Sequence, residues 1–419
     1  MGGTPYGVPN IPTPKDWPIY GEEELKAVQD VVRSRKWGTG GPKQVEFEEK
    51  VAEFTGAKYA VVMTNGTHTL RLAMEALEIG PGDEVIVPGS TWQATASSVL
   101  DVNAVPILVD VDPGRLTIDP KCIEAAITPR TKAIIPVHLY GRVADLDAVM
   151  DIARRYNLKV IEDAAHQFGS EWKGTHVGNI GAIGSFSLQA SKIMNTGEGG
   201  VVITNDEELY ERMYSLKFCG RPRDAKAVPP TTTMQSGNFR ANEFMAAIGI
   251  CQLARLREQN DIREDRATYL EDQLQAEIPG LSYLTRDERI TKQAIYRMNM
   301  FYDKEAWDGL PHKLVMKAFA AETEGQMTLS RPYAPLNNSS LYRPFSKKTH
   351  KLSDAYMAAI NPSRFHLPVL EKAYYENLIG FDHVYLLGSR AGMDQIVEIW
   401  KKLYANRGEL LQYQKEQNA

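Results

Sequence analysis

The chain has 419 residues, is 43% hydrophobic and 24% charged, and carries a formal net charge of −5 at pH 7. This is globular composition with material for two or three domains, and it argues against nucleic acid or membrane as a partner. The three cysteines, Cys122, Cys219 and Cys251, are odd in number and far apart, so we expect no disulfide framework and a cytoplasmic location.

The first elements along the chain are an extended arm and two helices. Residues 1–21 are rich in Gly and Pro and form the predicted N-terminal arm. Amphipathic spacing predicts helices over 22–34 and 45–56, with a glycine-containing loop at 38–43 between them.

Strands and helices then alternate as far as residue 218. Predicted strands cover 59–64, 84–89, 106–111, 132–138, 159–165, 184–189 and 199–204, and predicted helices cover 67–80, 94–104, 120–127, 145–157 and 206–218. Most of these strands are short apolar runs without strict alternation, which is typical of parallel strands buried on both faces. The pattern predicts a doubly wound α/β sheet.

The remainder of the chain indicates a second domain. A long helix is predicted over 242–278, with a break, followed by a strand over 296–303 and a helix over 398–417. The long helix could carry the chain from one domain to the other. We therefore expect a large domain at 22–270 and a smaller C-terminal α+β domain at 271–419.

Ligands of open α/β sheets bind at the carboxyl ends of the strands. After the first strand come Asn65, Gly66 and Thr67 and then a helix. Free N–H groups and the positive end of the helix dipole suit a phosphate there. The alternative is simple N-capping by Asn65 or Thr67.

Three further residues follow later strands. Trp92 either belongs to the core or stacks on a flat ring. Asp163 ends an apolar strand, where a carboxylate needs a partner; a cationic ring nitrogen, an arginine or solvent would each serve. His166 lies three residues on and is either a neighbour of that carboxylate or a structural histidine.

Lys192 follows the strand at 184–189 and precedes a run of glycines. A partly buried amine has a lowered pKa and attacks aldehydes, whereas most lysines are solvated surface groups. Ser187, just before it, offers a hydroxyl to a phosphate. Together with the phosphate turn, the aromatic ring and the aspartate, this lysine completes an inventory for pyridoxal 5′-phosphate (PLP).

The motifs that carry a family resemblance are "GTGGPKQVEFEEKVAEFTG", "TNGTHTL", "GDEVIVPGSTW", "VIEDAAHQFGSEWKG", "GSFSLQASK", "GEGGVVIT" and "GNFRANEFMAAIG". With them the chain resembles the DegT/StrS-type sugar aminotransferases over nearly its whole length. The resemblance implies the type I, aspartate aminotransferase-like fold, with a mostly parallel central sheet and a smaller C-terminal domain.

The resemblance also implies roles for the strand-end residues. Lys192 would join the cofactor as a Schiff base and move a proton between the amino donor and the cofactor. Asp163 would pair with the ring nitrogen, Trp92 would stack on the ring and His166 would lie near it.

The phosphate would be held by Gly66, Thr67 and Ser187. Asn238 would reach the phosphate from the partner subunit of a homodimer with shared sites. Arg240 and Tyr333 are the expected substrate contacts.

The segments 217–224, 333–344 and 367–377 resemble the cyclitol branch of the family. That branch contains L-glutamine:scyllo-inosose and 2-deoxy-scyllo-inosose aminotransferases of aminoglycoside antibiotic pathways, and 3-amino-5-hydroxybenzoate synthases are similar. The expected reaction moves the amine of L-glutamine or L-glutamate to a keto-cyclitol by a ping-pong route. A nucleotide-ketosugar aminotransferase remains open, because Arg221, Arg223 and Lys226 would either bind a diphosphate or form a solvated loop.

The alternative outside PLP chemistry is a NAD-dependent Rossmann oxidoreductase. It requires G-x-G-x-x-G after the first strand, where residues 64–68 read TNGTH. The loop at 38–43 has Lys43 in place of the last glycine. The eight histidines and three cysteines show no ligand spacing, so we expect no metal.

Overall fold

The computed structural model describes residues 4–223 and 233–418. The arm runs along the C-terminal part of the chain: the N–H of Tyr6 donates to Glu322 at 2.7 Å and that of Asn10 to Gln395 at 2.8 Å. Further on, the Trp17 indole N–H donates to the Ala190 carbonyl at 2.9 Å. The arm therefore ends beside the predicted catalytic lysine.

The described residues form thirteen α-helices. Their bounds are α1 Glu22–Ser34, α2 Pro42–Thr55, α3 Gly66–Ala76, α4 Ala94–Asp101, α5 Pro120–Ala126, α6 Leu146–Tyr156, α7 Glu207–Lys217, α8 Glu243–Glu277, α9 His312–Glu322, α10 Asp354–Ala359, α11 Pro368–Lys372, α12 Arg390–Ala405 and α13 Arg407–Asn418. Several begin at a side-chain cap that satisfies a free N–H, for example Asn65 before α3 and Asp145 before α6.

A seven-stranded central sheet lies between these helices, in the order β1-β9-β8-β5-β4-β2-β3. Its strands are β1 Tyr59–Met63, β2 Glu84–Pro88, β3 Val105–Val109, β4 Thr131–Ile134, β5 Lys159–Asp163, β8 Ile183–Ser187 and β9 Gly200–Thr204. The five strands from β8 to β3 are parallel neighbours. This is the mostly parallel sheet of the type I fold, as expected.

The first strand corrects one expectation. The apolar run in β1 predicts a parallel strand, but β1 pairs antiparallel with β9, with Tyr59 opposite Thr204 and Met63 opposite Gly200. β9 in turn pairs antiparallel with β8. An apolar run reports burial on both faces, and β1 is buried from Ala60 to Met63 whichever way its neighbour runs.

Two smaller sheets complete the strands. β10 Leu281–Tyr283, β12 Arg297–Tyr302 and β13 Leu378–Asp382 form an antiparallel sheet in the C-terminal part. β6 Glu171–Trp172 and β7 Thr175–His176 form a hairpin, and β11 Ile290–Lys292 pairs with β6. The second domain is thus joined to the first through a strand pair.

Two helix predictions were wrong. The predicted break in the long helix is absent, because α8 runs without interruption for 35 residues; it contains no proline, and its single glycine, Gly249, lies against the Phe47 ring. The predicted single helix at 398–417 is instead α12 followed by α13, which separate at Asn406.

The apolar cores show how the chain is divided. One core lies around the parallel strands, and a second joins α9, α12 and the β10-β12-β13 sheet. Leu336, Tyr342 and Ile360, in the predicted small domain, pack into the first core. The boundary at 270/271 stays a prediction, and the segment 336–360 returns to the large domain beside the site described below.

No helix among the described residues is long and apolar enough to cross a bilayer.

Candidate active site

A cavity of about 410 Å³ lies at the carboxyl ends of β5 and β8. Eight of the ten residues proposed from the sequence line it: Gly66, Thr67, Trp92, Asp163, His166, Ser187, Lys192 and Tyr333. They come from distant positions in the chain. The carboxyl ends of parallel strands meet at one edge of a sheet, which is why their following residues converge.

The turn into α3 forms one wall of this cavity. The Asn65 side chain accepts from the His68 N–H at 2.9 Å, which leaves the N–H groups of Gly66 and Thr67 without a partner inside the helix. A Cβ on Gly66 would lie 2.7 Å from the Cβ of Ser187. Glycine therefore lets the turn lie close to Ser187. The free N–H groups of the turn and the Ser187 hydroxyl would both donate to an anion.

Asp163 is buried at the end of β5, with 5% of its surface exposed. Its carboxylate accepts from the Thr95 hydroxyl at 2.8 Å and from the Ala165 N–H at 3.3 Å. No ion pair joins it to an arginine or lysine in the described part of the chain. Burial raises the pKa of Asp163, although the Thr95 bond lowers it in part. The site therefore holds a carboxylate in need of a cation.

The neighbouring carboxylate, Glu162, has a different environment. It accepts from His138 at 3.0 Å and from the N–H groups of Gly178, Ile180 and Gly181 at 2.6–2.8 Å. Burial alone would raise its pKa, but these donors lower it overall. Glu162 is a satisfied structural carboxylate, and Asp163 is the one that faces the cavity.

Lys192 places its amine in the cavity. Burial lowers the pKa of this amine from 10.5 to about 8, and the Asp163 carboxylate offsets part of that effect. The Nζ atom lies 4.4 Å from the centre of the Tyr296 ring. Its position in the cavity and its lowered pKa both disfavour the solvated-lysine alternative. The role of Lys192 as a base and a nucleophile stays a prediction, which this environment supports.

His166 lies beside Asp163 in the chain and is 4% exposed. Its Nε2 atom is 3.4 Å from the Tyr333 hydroxyl, and its ring centre is 4.2 Å from that of Tyr296. Burial, and then the charge of Lys192, hold the pKa of His166 well below its usual value, so the ring is neutral. Its buried Nδ1 atom has no hydrogen-bond partner among the residues that the structure describes, which leaves one polar atom for a bound group.

Two aromatic side chains form the outer wall. Trp92 is 44% exposed and its ring centre lies 5.7 Å from that of Tyr333. A tryptophan this exposed is not a core residue. Its position therefore favours the other interpretation, in which Trp92 stacks on a flat ring. The Tyr333 N–H donates to the Tyr140 hydroxyl at 3.1 Å, which fixes this segment of the C-terminal part against the large domain.

The other two proposed residues do not line the cavity. Asn238 is exposed and its side chain accepts from the Arg240 N–H at 3.3 Å. The Arg240 guanidinium lies 5.1 Å from the centre of the Phe218 ring. Both residues sit in a segment that pairs with the end of β1, where Arg240 bridges to Met63.

Two of the three basic residues proposed for a diphosphate, Arg221 and Arg223, also lie outside the cavity. Arg223 pairs with Glu211 at 3.0 Å, and the Arg221 guanidinium lies 5.5 Å from the centre of the Phe218 ring. Lys226 lies outside the described residues. In the part of the chain that is described, no group of three His, Cys, Asp or Glu side chains is placed to hold a metal.

Sequence reasoning missed Thr95 and Tyr296. Thr95 is the second residue of α4, and its hydroxyl donates to Asp163, 68 residues away in the chain. Tyr296 precedes β12 and its hydroxyl lies 2.8 Å from that of Ser191, 105 residues away. Neither residue belongs to a local pattern, so only the fold shows that they reach the site.

The fold and this cavity define the class of the protein. A mostly parallel sheet brings together a helix N-terminus, a buried carboxylate and an amine of lowered pKa, and solved aminotransferases share this fold over nearly the whole chain. The protein is an aminotransferase of the type I fold. Within that class it belongs to the DegT/DnrJ/EryC1/StrS aminotransferase family, whose model matches residues 18–377.

Individual relatives are similar along the full length. The chain is 39% identical to the L-glutamine:2-deoxy-scyllo-inosose aminotransferase of Streptoalloteichus tenebrarius, over 94% of this chain and 95% of that protein. It matches the crystal structure of 3-amino-5-hydroxybenzoic acid synthase with a TM-score of 0.80 and 31% identity, over 95% and 100% of the two chains. A sugar aminotransferase from Streptococcus pneumoniae in its PMP form matches with a TM-score of 0.78 and 26% identity, over 98% and 100%. The resemblance drawn from the sequence motifs is confirmed.

Proposed function

We propose that this aminotransferase uses PLP to move the amino group of L-glutamine, or L-glutamate, to a keto-cyclitol such as scyllo-inosose or 2-deoxy-scyllo-inosose in aminocyclitol antibiotic biosynthesis. The observation that carries the proposal is the Lys192 amine, with its pKa near 8, in one cavity with the unpaired Asp163 carboxylate. The named activities of the similar proteins support the choice of donor and acceptor.

The residues present fit PLP. The N–H groups of Gly66 and Thr67, with the hydroxyls of Thr67 and Ser187, suit its phosphate. Among the described residues no cation pairs with Asp163, and a protonated pyridine nitrogen would supply one. The Nδ1 atom of His166, which has no partner among those residues, is a second polar atom in the same wall. Trp92 would stack on the ring. When bound, PLP supplies an electron-withdrawing ring that makes the Cα–H bond of an amino donor acidic.

The protein's own side chains would then transfer the Cα proton of the amino donor. Lys192 Nζ would accept the proton from Cα of the donor and pass it on to the cofactor, since an amine with a pKa near 8 exists in both forms at neutral pH. From the end of β5, Asp163 would stabilise positive charge on the ring nitrogen of the bound cofactor. The rings of His166, Tyr296 and Tyr333 form the wall on this side of the cavity.

The charge of the cavity favours an uncharged acceptor. Among the described residues of one chain that line it, Lys192 is the single lysine or arginine, whereas Asp163 and Glu198 are acidic. A compact polyol ketone needs no cation, but a nucleotide diphosphate does. The similarity to 3-amino-5-hydroxybenzoic acid synthase keeps an aromatising reaction as the second candidate.

The spectrum of the purified protein with added PLP tests the chemistry. We expect an absorbance band near the visible edge that Lys192→Ala abolishes, and a protein that stays colourless would overturn the proposal. Turnover of scyllo-inosose, 2-deoxy-scyllo-inosose and a dTDP-ketosugar, with glutamine or glutamate as donor, then identifies the substrates. Absorbance of an aromatic product would favour the second candidate.

A homodimer with shared sites is the proposed assembly. Asn238 and Arg240 are outside the cavity of their own chain. Exposed apolar side chains lie at the end of the arm and on or beside α1 and α2: Tyr20, Leu25, Val32, Trp37 and Val45. Such side chains are typical of an interface. A cytoplasmic location stays a prediction from the unpaired cysteines.

Mixed dimers test the shared site. If Asn238 acts in the partner's site, an Asn238→Ala chain paired with a Lys192→Ala chain contains one intact site, so mixing two inactive proteins restores activity. The matched control pairs Asp163→Asn with Lys192→Ala, whose defects fall in different sites, and no activity returns. Restoration in neither mixture, or sedimentation as a monomer, would contradict the shared site.

A further inference from the structure

The loop that carries the catalytic lysine is held by side chains from outside the large domain. Residues 189–192 connect β8 to the glycine-containing turn before β9 and belong to no helix or strand. Trp17 of the arm donates to the Ala190 carbonyl at 2.9 Å, and His383 donates from Nε2 to the Ser191 carbonyl at 3.0 Å. Tyr296 is the third such side chain and is the one that also touches the lysine.

The Tyr296 hydroxyl is part of a directed hydrogen-bond chain. Ser191 Oγ donates its single proton to Gln189 Oε1 at 2.6 Å, so at the 2.8 Å contact Tyr296 is the donor and Ser191 Oγ the acceptor. The Ser191 N–H donates to the same Gln189 oxygen at 2.9 Å. Burial raises the pKa of Tyr296, which keeps this hydroxyl protonated. These hydrogen bonds fix the backbone of Ser191, the residue directly before Lys192.

The ring of Tyr296 contacts the reacting group itself. Lys192 Nζ lies 4.4 Å from the ring centre, and the His166 ring lies 4.2 Å from it on an inclined plane. Tyr296 is 8% exposed, so its position is fixed by packing. A lysine side chain has four rotatable bonds, and an aromatic face within 6 Å of its ammonium limits where the nitrogen can lie.

We propose that Tyr296 is a positioning residue for Lys192: its hydroxyl fixes the lysine loop through Ser191, and its ring holds the amine pointing at the space between Asp163 and the phosphate turn. This inference rests on the proposed PLP chemistry. Tyr296 precedes β12 of the C-terminal part, so the second domain contributes directly to the geometry of the reacting nitrogen.

Measurements with two forms of the cofactor distinguish positioning of Lys192 from a general effect of Tyr296 on the shape of the cavity. Pyridoxamine 5′-phosphate binds without forming a bond to lysine, so its affinity reports the cavity alone. With PLP, the rate at which the visible-edge band appears after mixing with cofactor-free protein reports attack by Lys192. We compare wild type, Tyr296→Phe, Tyr296→Leu and a control, Tyr302→Phe. Tyr302 is a buried tyrosine of β12 whose hydroxyl donates to the Leu310 carbonyl at 2.7 Å, away from the cavity.

For Tyr296→Leu we expect the band to appear about tenfold more slowly, because a small displacement of a reacting group has an effect of this size or larger. Tyr296→Phe keeps the ring and loses one hydrogen bond, so the rate falls by about threefold. In all variants the affinity for pyridoxamine 5′-phosphate stays within about threefold of wild type, because no covalent bond to Lys192 forms in that complex and its binding does not require attack by the amine. Tyr302→Phe matches wild type in both assays.

Other outcomes overturn the inference. If Tyr296→Leu reacts with PLP at the wild-type rate, Tyr296 does not position the lysine. If its affinity for pyridoxamine 5′-phosphate falls in proportion to the rate, Tyr296 shapes the cavity in general. A wild-type protein that binds neither cofactor form would instead refute the proposed function, which distinguishes the two failures.

Discussion

Thr95 Oγ1 donates to Asp163 Oδ2 at 2.8 Å, and Thr95 itself lies 2.7 Å from the hydroxyl of Thr91. This short hydroxyl chain is the side-chain support of a buried carboxylate that no cation of the described protein neutralises. It fixes one carboxylate oxygen and leaves the group facing the cavity. The geometry of the candidate site therefore depends on a residue that lies outside the family motifs.

Replacing Thr95 tests that support. Thr95→Val removes a donor to a charged group, so we expect the pKa of Asp163 to rise further and the Kd for PLP to increase about tenfold. Thr95→Ser keeps the hydroxyl and is the matched control, with a Kd near wild type. Absorbance titration measures both. Equal affinities for the Val and Ser variants would show that the bond has no role.

Asp163→Asn is expected to separate activity from stability. Because burial raises the pKa of Asp163, the folded cofactor-free protein loses stability as pH rises above 3.8, the value of a solvated aspartate. The Asn variant lacks this loss, so its cofactor-free form melts higher than wild type at neutral pH. Its kcat falls by about a hundredfold, since a charge-stabilising group is gone. Thermal melts at pH 4 and 7.5 with steady-state kinetics check both results.

Lys192→Met should also stabilise the cofactor-free protein. The folded-state pKa of about 8 lies below the ordinary 10.5, so at pH values below 8 the folded wild type holds a poorly solvated charge. Wild type regains stability between pH 8 and 10.5, as the folded amine is already neutral while the unfolded one is still protonated. The stability gap between the variant and wild type is therefore largest below pH 8 and narrows toward pH 10.5 in denaturant titrations. A constant gap would contradict the lowered pKa.

Glu162→Gln tests the carboxylate next to Asp163. Four donors surround the charged Glu162 carboxylate. The amide of glutamine would place its own N–H groups against some of these donors. We therefore expect the free energy of unfolding to fall by about 3 kcal/mol. The lowered pKa of Glu162 means that its contribution is present above pH 4.5 and is lost as pH falls through the folded-state pKa. Urea unfolding at pH 7 and at pH 3.5 measures the loss. The exposed Glu53→Gln on α2 is the control, with a change within about 0.5 kcal/mol.

Gly200→Ala probes the phosphate turn from the opposite strand. A Cβ at this position would lie 2.5 Å from the carbonyl carbon of Asn65 and 2.9 Å from the N–H nitrogen of Gly66. Both are backbone atoms, so the turn must shift, and we expect the Kd for PLP to rise about tenfold. Gly408→Ala, where an added Cβ meets nothing within 4 Å, is the control. Unchanged affinity in Gly200→Ala would place the phosphate elsewhere.

The sequence predicted the convergence of residues that follow parallel strands. Gly66, Trp92, Asp163 and Lys192 each come just after an apolar run, and they line one cavity. Local periodicity predicts which segments are buried strands and where each strand ends. The carboxyl ends of parallel strands lie at the same edge of the sheet. The strand direction of β1 was not predictable in this way, because an apolar run encodes burial and not the direction of its neighbour.

The sequence by itself therefore determined the family, the mostly parallel sheet and most of the side chains of the cavity, since these depend on motifs and on local periodicity. The tertiary structure alone decided which groups support them. Three hydrogen bonds illustrate this. Thr95 bonds Asp163 across 68 positions of the chain, Tyr296 bonds Ser191 across 105, and Tyr333 bonds His166 across 167. The physical reason is that a hydrogen bond or ring contact depends on distance in space, which residue spacing encodes only within one helix or strand.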